Sequence, residues 1–183
     1  MGIYTRRGDA GETALADGSR TSKASPRVEA YGSVDEAAAA VGFARQVATD
    51  ATLDATLRFA QQRLLNCSST LADPRAGGSP VAQADIVFLE AAIDRLSDAS
   101  GGWSGFVLAS GGELACRLHV ARTVARRAER RAVALAAEAP VDPLALAFLN
   151  RLSDLLFAAA RAAAATEGAD EDLWDRDVEP PSF

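Results

Sequence analysis

Apolar residues recur every three or four positions over five stretches of the chain, and each stretch predicts an amphipathic helix. From Pro26 to about Val47 the stripe is Val28, Tyr31, Val34, Ala38 and Val41, with Pro26 suited to a first helical turn. Asp35 sits between stripe positions near the middle of this helix, where an aspartate ordinarily faces solvent. A second helix, from about Leu53 to Leu71, has Leu57, Leu64 and Leu71 at heptad spacing, with Ala60, Cys67 and Ser68 on the same side. Ile86, Leu89, Ile93 and Leu96 carry a third from about Val81 to Leu96. A fourth runs from about Leu114 to Ala137, and Pro140 and Pro143 punctuate the turn into a fifth, from about Leu144 to Ala164.

The helical period fails in four places. Residues 1–25 hold Gly2, Gly8, Gly11 and Gly18 among hydroxyls and arginines, which predicts a loop. Thr5, Arg6, Gly8, Asp9, Gly11 and Thr13 combine cationic and hydroxyl groups with glycines that let backbone N–H groups approach an anion; the other reading is a polar terminus without fixed structure. The spacing is not that of a Walker A loop. Residues 73–80 form a turn-rich loop. Between Ser100 and Gly112, Trp103 sits among glycines, either as a plug for one end of a bundle or as the wall of a pocket, before the short extended run of Phe106, Val107 and Leu108. The tail from Glu167 to Phe183 is acidic, and an extended or mobile course is expected except where Trp174 or Phe183 finds a pocket.

Helices four and five each reserve a third face. At about 100° per residue, Arg122, Arg126 and Glu129 fall within roughly 60° of one another. Val124, Ala125, Ala128 and Leu135 lie to one side of them, and Arg127 and Arg131 point away toward solvent, as does Arg130. On helix five, Asn150, Asp154, Phe157 and Arg161 share such a sector beside the core stripe Leu149, Leu152, Leu156 and Ala160. One polar stripe can be surface decoration by i, i+3 and i, i+4 pairs. Two matched stripes point to a contact or binding surface.

Composition supports a single, all-helical domain: the 183 residues are rich in alanine and poor in β-branched and aromatic types. A formal charge of −6 excludes a general nucleic-acid binder, whereas the stretch Arg117 to Arg131, with six arginines against one glutamate, suits a compact anion. Cys67 and Cys116 lie far apart without metal-ligand spacing, which points to free thiols in a reducing compartment. His119 is the sole histidine, too few for a di-iron or zinc site. The N-terminus lacks the apolar core of a signal peptide and no apolar run is unbroken enough to span a bilayer, so a cytoplasmic chain without a membrane partner is expected.

Four segments in order resemble the PduO-type ATP:cob(I)alamin adenosyltransferases over nearly the whole chain. Thr5, Gly8, Asp9, Gly11 and Thr13 match the family's TxxGDxGxT pattern; Lys23 and Arg27 to Glu36 match its lysine and RVxAYGxVDE segment. His119 to Arg130 match HVARTxxRRAER, and Asn150 to Arg161 match NRLSDxLFxxxR. The resemblance implies an all-α five-helix bundle of ferritin-like up-down packing, assembled as a homotrimer with sites at subunit contacts. Residues 1–25 would be the nucleotide-binding loop, 26–166 the bundle and 167–183 the tail. The implied reaction joins the 5′-deoxyadenosyl group of ATP to the cobalt of reduced cobalamin, releasing triphosphate, with Mg²⁺ accompanying the nucleotide. Carried over residue by residue, Thr5, Arg6, Gly8, Asp9, Gly11, Thr13, Lys23, Arg126, Glu129 and Asn150 hold ATP, with Arg126 clamping the triphosphate. Asp35 and Arg122 pair across the subunit contact on the corrinoid side, Phe106 lies under the corrin, and Phe157 joins that side. A flavoprotein reductase and an adenosylcobalamin-dependent mutase are the implied protein partners.

Three departures stand out: DEAAAAVG replaces the family's usual DELN, the loop after Phe106 reads Val107 to Gly111 in place of PGG and is expected to be more flexible, and Arg7 follows Arg6. The altered loop motivates an alternative, a catalytically weak corrinoid-binding or delivery protein for a mutase. A plain helical scaffold with a basic face is a third reading.

Overall fold

The computed structural model describes residue 4 and residues 6–75, 81–101 and 105–182. Thr5, Trp103 and Phe183, each given a role from sequence, lie outside the described residues. Five helices carry the fold: α1 Pro26–Arg45, α2 Ala51–Ala72, α3 Gln83–Ala99, α4 Glu113–Ala136 and α5 Pro143–Glu167. Their starts are chemically marked. Ser25 and Asp50 accept the backbone N–H groups of Val28 and Leu53, and Asp142 accepts that of Leu144. Pro26 and Pro143 open α1 and α5, and Gly168, in the left-handed region at φ 63°, closes α5. These caps account for ends that depart by a few residues from the apolar stripes.

Cross-helix partners fix the directions. Arg45 pairs with Asp54 and Gln61 donates to Ala38 O, so α1 and α2 are antiparallel. Arg127 pairs with Glu36 and Arg131 with Glu29 while Arg117 reaches Phe43 O, so α4 also opposes α1. Glu129 meets Asn150 and His119 meets Phe157, so α5 opposes α4. Helix α3 packs beside α5, with Glu90 at Arg151. Thus α1 lies between α2 and α4, and α5 between α4 and α3.

The core is built where the stripes meet: Val34, Val41, Leu57, Leu64, Leu118, Phe148, Leu149, Leu152 and Leu156 are fully buried. Alanines at 121, 125, 128 and 132 of α4 and at 159, 160 and 163 of α5 are buried as well, and side chains this small let α4 and α5 approach closely. Helix α5 passes a length-and-composition test for crossing a membrane, contrary to the sequence expectation; its apolar side is instead spent on this core. Cys67 and Cys116 are both free, and burial pushes the Cys67 thiol up to about 12, so it packs as a small apolar group.

Two further expectations change. Within residues 1–25 the chain forms a hairpin of β1 Glu12–Ala14 and β2 Arg20–Ser22, with Thr13 opposite Thr21. Three-residue strands without apolar alternation leave no period to read. The tail is likewise ordered in part: Leu173 bridges Val107, and Trp174 finds the Phe106 ring, not a pocket.

Candidate functional site

The third face of α4 and α5 is a real junction of the two helices. Asn150 donates to Glu129 Oε1 at 2.8 Å, which orients both side chains. About two turns toward the α4 N-terminus, Arg122 lies over the Phe157 ring at 5.9 Å, a cation–π distance, and the His119 ring is 6.2 Å from that same phenyl. Arg122 is half-buried, and its Nε has no hydrogen-bond partner among the described residues. Burial, and then repulsion from Arg126, lower its pKa from the ordinary arginine value.

The other arginines of α4 are disposed differently. Arg117 pairs with Glu113 and stacks over Phe43, Arg127 pairs with Glu36, and Arg131 with Glu29. Arg127 and Arg131 are exposed, as expected of outward-facing residues, and each in addition reaches across to a carboxylate of α1. Exposed Arg130 and exposed Arg126 have no carboxylate partner among the described residues. Among the described residues, Arg122 and Arg126 alone combine proximity, mutual repulsion and a shared face with the Glu129–Asn150 pair. Two neighbouring guanidiniums lacking counter-charge are an anion site in the making.

On α5 the expected sector divides. Asp154 turns to Arg151 at 2.9 Å, which itself reaches Glu90. Arg161 does not join the polar face: it is 8% exposed and bonds Glu171 of the tail at 3.0 Å. The helical wheel gave its azimuth correctly but could not show that the tail folds back over it.

At the end of the bundle holding the α1 N-terminus, the hairpin docks through Ala16 N to Ala72 O. Gly8 and Lys23 meet there: a Cβ at Gly8 would lie 3.1 Å from Lys23 Nζ, and Lys23 N donates to Gly11 O at 2.8 Å. Gly11, at φ 84°, takes a conformation that L side chains avoid. Arg6, at φ 58°, is the non-glycine residue with positive φ among those described, and its guanidinium lies 5.8 Å from the Tyr4 ring. Arg20 holds the loop by bonding Glu12 and Arg7 O. The hairpin thus gathers Arg6, Gly8, Asp9, Gly11, Thr13 and Lys23 into one compact piece. The structure brings Glu129 to Asn150 and Arg122 to Arg126 on a second.

Asp35 and Arg122 are apart in the single chain. Exposed Asp35 borders a cleft with Ala38, Ala39, Gln61, Gln62 and Leu65 on the α1–α2 side, whereas Arg122 sits on the α4–α5 side. Phe106 is 68% exposed at the opposite end from the hairpin, with the Trp174 ring edge-on at 6.2 Å. No group of three or more metal-ligating side chains occurs among the described residues.

Sequence reasoning missed Arg27. It is 8% exposed and donates to Leu71 O at 2.7 Å and Asp73 O at 3.3 Å, clamping the carbonyl end of α2. A cation in the first turn of a helix opposes the helix dipole, and that oddity was the available signal.

His119, 3% exposed, has no hydrogen-bond partner at either ring nitrogen among the described residues. Burial first and Arg122 second lower its pKa below the ordinary 6.5, and Glu171 only partly opposes them. In the folded state the ring therefore stays neutral where the unfolded chain binds a proton, so stability falls as pH drops below 6.5 and levels off below the folded value. Denaturant titrations from pH 7.5 down to 5 should show this loss, and His119→Phe should remove that part of the slope.

Residues 3–163 match the family model described as cobalamin adenosyltransferase. The chain is 46% identical over 166 residues to the corrinoid adenosyltransferase PduO of Salmonella typhimurium, covering 88% of this chain and 49% of that protein. It is 38% identical over 181 residues to the corrinoid adenosyltransferase of Bacillus subtilis, covering 96% and 93%. A phenylalanine variant of a PduO-type ATP:corrinoid adenosyltransferase from Lactobacillus reuteri, solved with cobalamin and ATP, superposes with a TM-score of 0.89 at 37% identity, covering 94% of this chain and 99% of that one. The chain spans about half the length of the Salmonella relative and of a second PduO relative, from Citrobacter freundii.

Proposed function

The chain belongs to the cobalamin adenosyltransferase family, and from that premise we propose that it transfers the 5′-deoxyadenosyl group of ATP to the cobalt of reduced cobalamin, as one domain spanning residues 1–183. The lone pair of Co(I) attacks C5′ of ATP, the C5′–O bond breaks, and triphosphate leaves with the bonding electrons. Cob(II)alamin first accepts one electron from a reductase, for which a flavoprotein is the proposed donor.

The observation that carries this reading is the pair Arg122 and Arg126, like charges beside one another and without carboxylate partners among the described residues, on a face where Glu129 and Asn150 are already fixed. Negative charge grows on the leaving triphosphate, and a guanidinium positioned beforehand stabilises it without reorganisation. Arg126 takes that role, and Glu129 and Asn150 orient the nucleotide. The hairpin group of Arg6, Gly8, Asp9, Gly11, Thr13 and Lys23, together with Thr5, folds over the nucleotide of a neighbouring subunit in a homotrimer. There Asp35 of one subunit meets Arg122 of the next, which supplies the partner that each lacks among the described residues of one chain. Mg²⁺ is bound chiefly by the phosphate oxygens and water, a usual arrangement for this ion and one that asks for no acidic cluster from the protein. Phe106, with Phe157 also assigned to the corrinoid side, presents an apolar surface beneath the corrin and excludes a lower axial ligand. Two free cysteines accord with a reducing, cytoplasmic setting.

Purified protein incubated with ATP, Mg²⁺ and chemically reduced cobalamin should give the adenosylcobalamin spectrum and one triphosphate per turnover. Tight cobalamin binding without turnover would instead favour the delivery-protein reading, whose only support is the altered loop after Phe106. Sedimentation should give a mass three times the 19.0 kDa of the chain.

A further inference from the structure

Phe106 is an exposed aromatic on a short segment between α3 and α4, and its position depends on what holds that segment. The tail supplies a strand for it. Leu108 N donates to Asp172 O at 2.8 Å, Trp174 N donates to Phe106 O at 2.8 Å, and Val107 and Leu173 form the antiparallel bridge between them. Ser110 Oγ accepts from Asp172 N at 2.7 Å. Gly111, at φ 88°, passes so close beneath α5 that a Cβ there would stand 2.7 Å from that of Ala164. The loop expected to be flexible is thus tied to residues 171–174.

Apolar burial does not explain why the tail stays there. Leu173 is 55% exposed and Trp174 57%, so neither side chain is seated in a core. The buried contact lies one residue before the strand. Glu171 accepts from Arg161 Nε with both carboxylate oxygens, at 3.3 and 3.0 Å, and the two side chains are only 16% and 9% exposed. Charged groups so sheltered hold a fixed geometry, because separating them strands an uncompensated charge away from water. Arg161 stands on the rigid α5, and Glu171 is the point where the tail is pinned to it.

We propose that the Arg161–Glu171 ion pair is the anchor that positions Phe106 for its corrinoid substrate, acting through the strand of residues 172–174. Arg161 and Glu171 are positioning residues, acting on Phe106 through the tail strand. The proposal rests on Phe106 lying beneath the corrin, as proposed above.

The test compares Glu171→Gln, Ser110→Ala and Phe106→Ala with the parent enzyme. Hydrogen exchange at the Leu108 and Trp174 amides should quicken by about tenfold or more in Glu171→Gln, with the α1–α5 core amides unchanged. With ATP and cob(II)alamin bound, the fraction of four-coordinate Co(II), read by electron paramagnetic resonance, should fall. Turnover from cob(II)alamin should drop roughly fivefold or more, while KM for ATP and turnover of pre-reduced cob(I)alamin stay within about twofold. Ser110→Ala, which removes one exposed acceptor at small folding cost, should move the same readouts in the same direction, and it carries the test if Glu171→Gln does not fold. Faster exchange with an unchanged Co(II) signal would overturn the positioning role, and parent-like exchange would overturn the anchor itself. If Phe106→Ala leaves the Co(II) signal intact, the reading of Phe106 fails, and the exchange arm still judges the anchor.

Discussion

Arg126→Ala should lower turnover by about 10² to 10³, the usual loss when one preorganised donor to a developing anion is removed. The loss should appear mainly in kcat, because in the proposed reaction charge on the leaving triphosphate grows between the bound state and the transition state. Arg126→Lys should recover part of it, since an ammonium restores the charge but not the planar fork that grips two oxygens. The control is its neighbour. Arg127 is spent on Glu36 across the α1–α4 contact, a half-exposed pair worth about 0.2–1 kcal/mol to stability, so Arg127→Ala should leave kcat and KM within about twofold. Steady-state kinetics on the two variants, each checked for folded content, decide the matter. Equal losses would mean that α4 presents one undifferentiated basic patch, and the role given to Arg126 would fall.

Legibility from sequence followed the range of the interaction. The five helices announced themselves because an apolar stripe needs only neighbours three and four residues away, and Val34, Leu57, Leu89, Ala128 and Leu152 are all buried where their stripes put them. The pairing of Glu129 with Asn150 was half legible: each lay in a polar sector beside a core stripe, but that the sectors face each other is a property of how α4 and α5 pack. Ion pairs such as Arg127 with Glu36, 91 positions apart, have no local signature. A wheel therefore placed Arg127 outward, where it is, but could not show that α1 lends it a carboxylate.

The same limit explains the tail and the hairpin. Acidic composition and two prolines near its end made residues 167–183 look unattached, because nothing local tells Glu171 that a buried arginine waits on α5. Strands of three residues, Glu12–Ala14 and Arg20–Ser22, are too short to show a period of two. Asp35 and Arg122 mark the further limit of a single chain. One borders the α1–α2 side and the other the α4–α5 side, so their pairing is a question about neighbouring subunits.

Phe106→Ala should separate the two half-reactions. The ring is 68% exposed and makes its edge contact with Trp174 at the periphery, so its loss should leave the fold and ATP binding unchanged. In the role proposed for it, what it removes is an apolar surface, and with it the means of keeping water or another donor off the lower face of cobalt. A lower axial ligand raises the energy of the orbital that receives the electron, and Co(II) becomes harder to reduce. A loss of about two decades in reducibility corresponds to about 120 mV of one-electron driving force, at about 59 mV per decade. Turnover that starts from cob(II)alamin with a reductase should therefore fall by about 10², whereas turnover of chemically prepared cob(I)alamin, already past that step, should fall far less. The affinity for ATP, measured by calorimetry, should match the parent. Loss of both activities together would assign Phe106 to binding of the whole corrinoid, and unchanged turnover from cob(II)alamin would remove it from the reaction. A selective loss at the Co(II) stage is the outcome that an apolar wall beneath the metal requires.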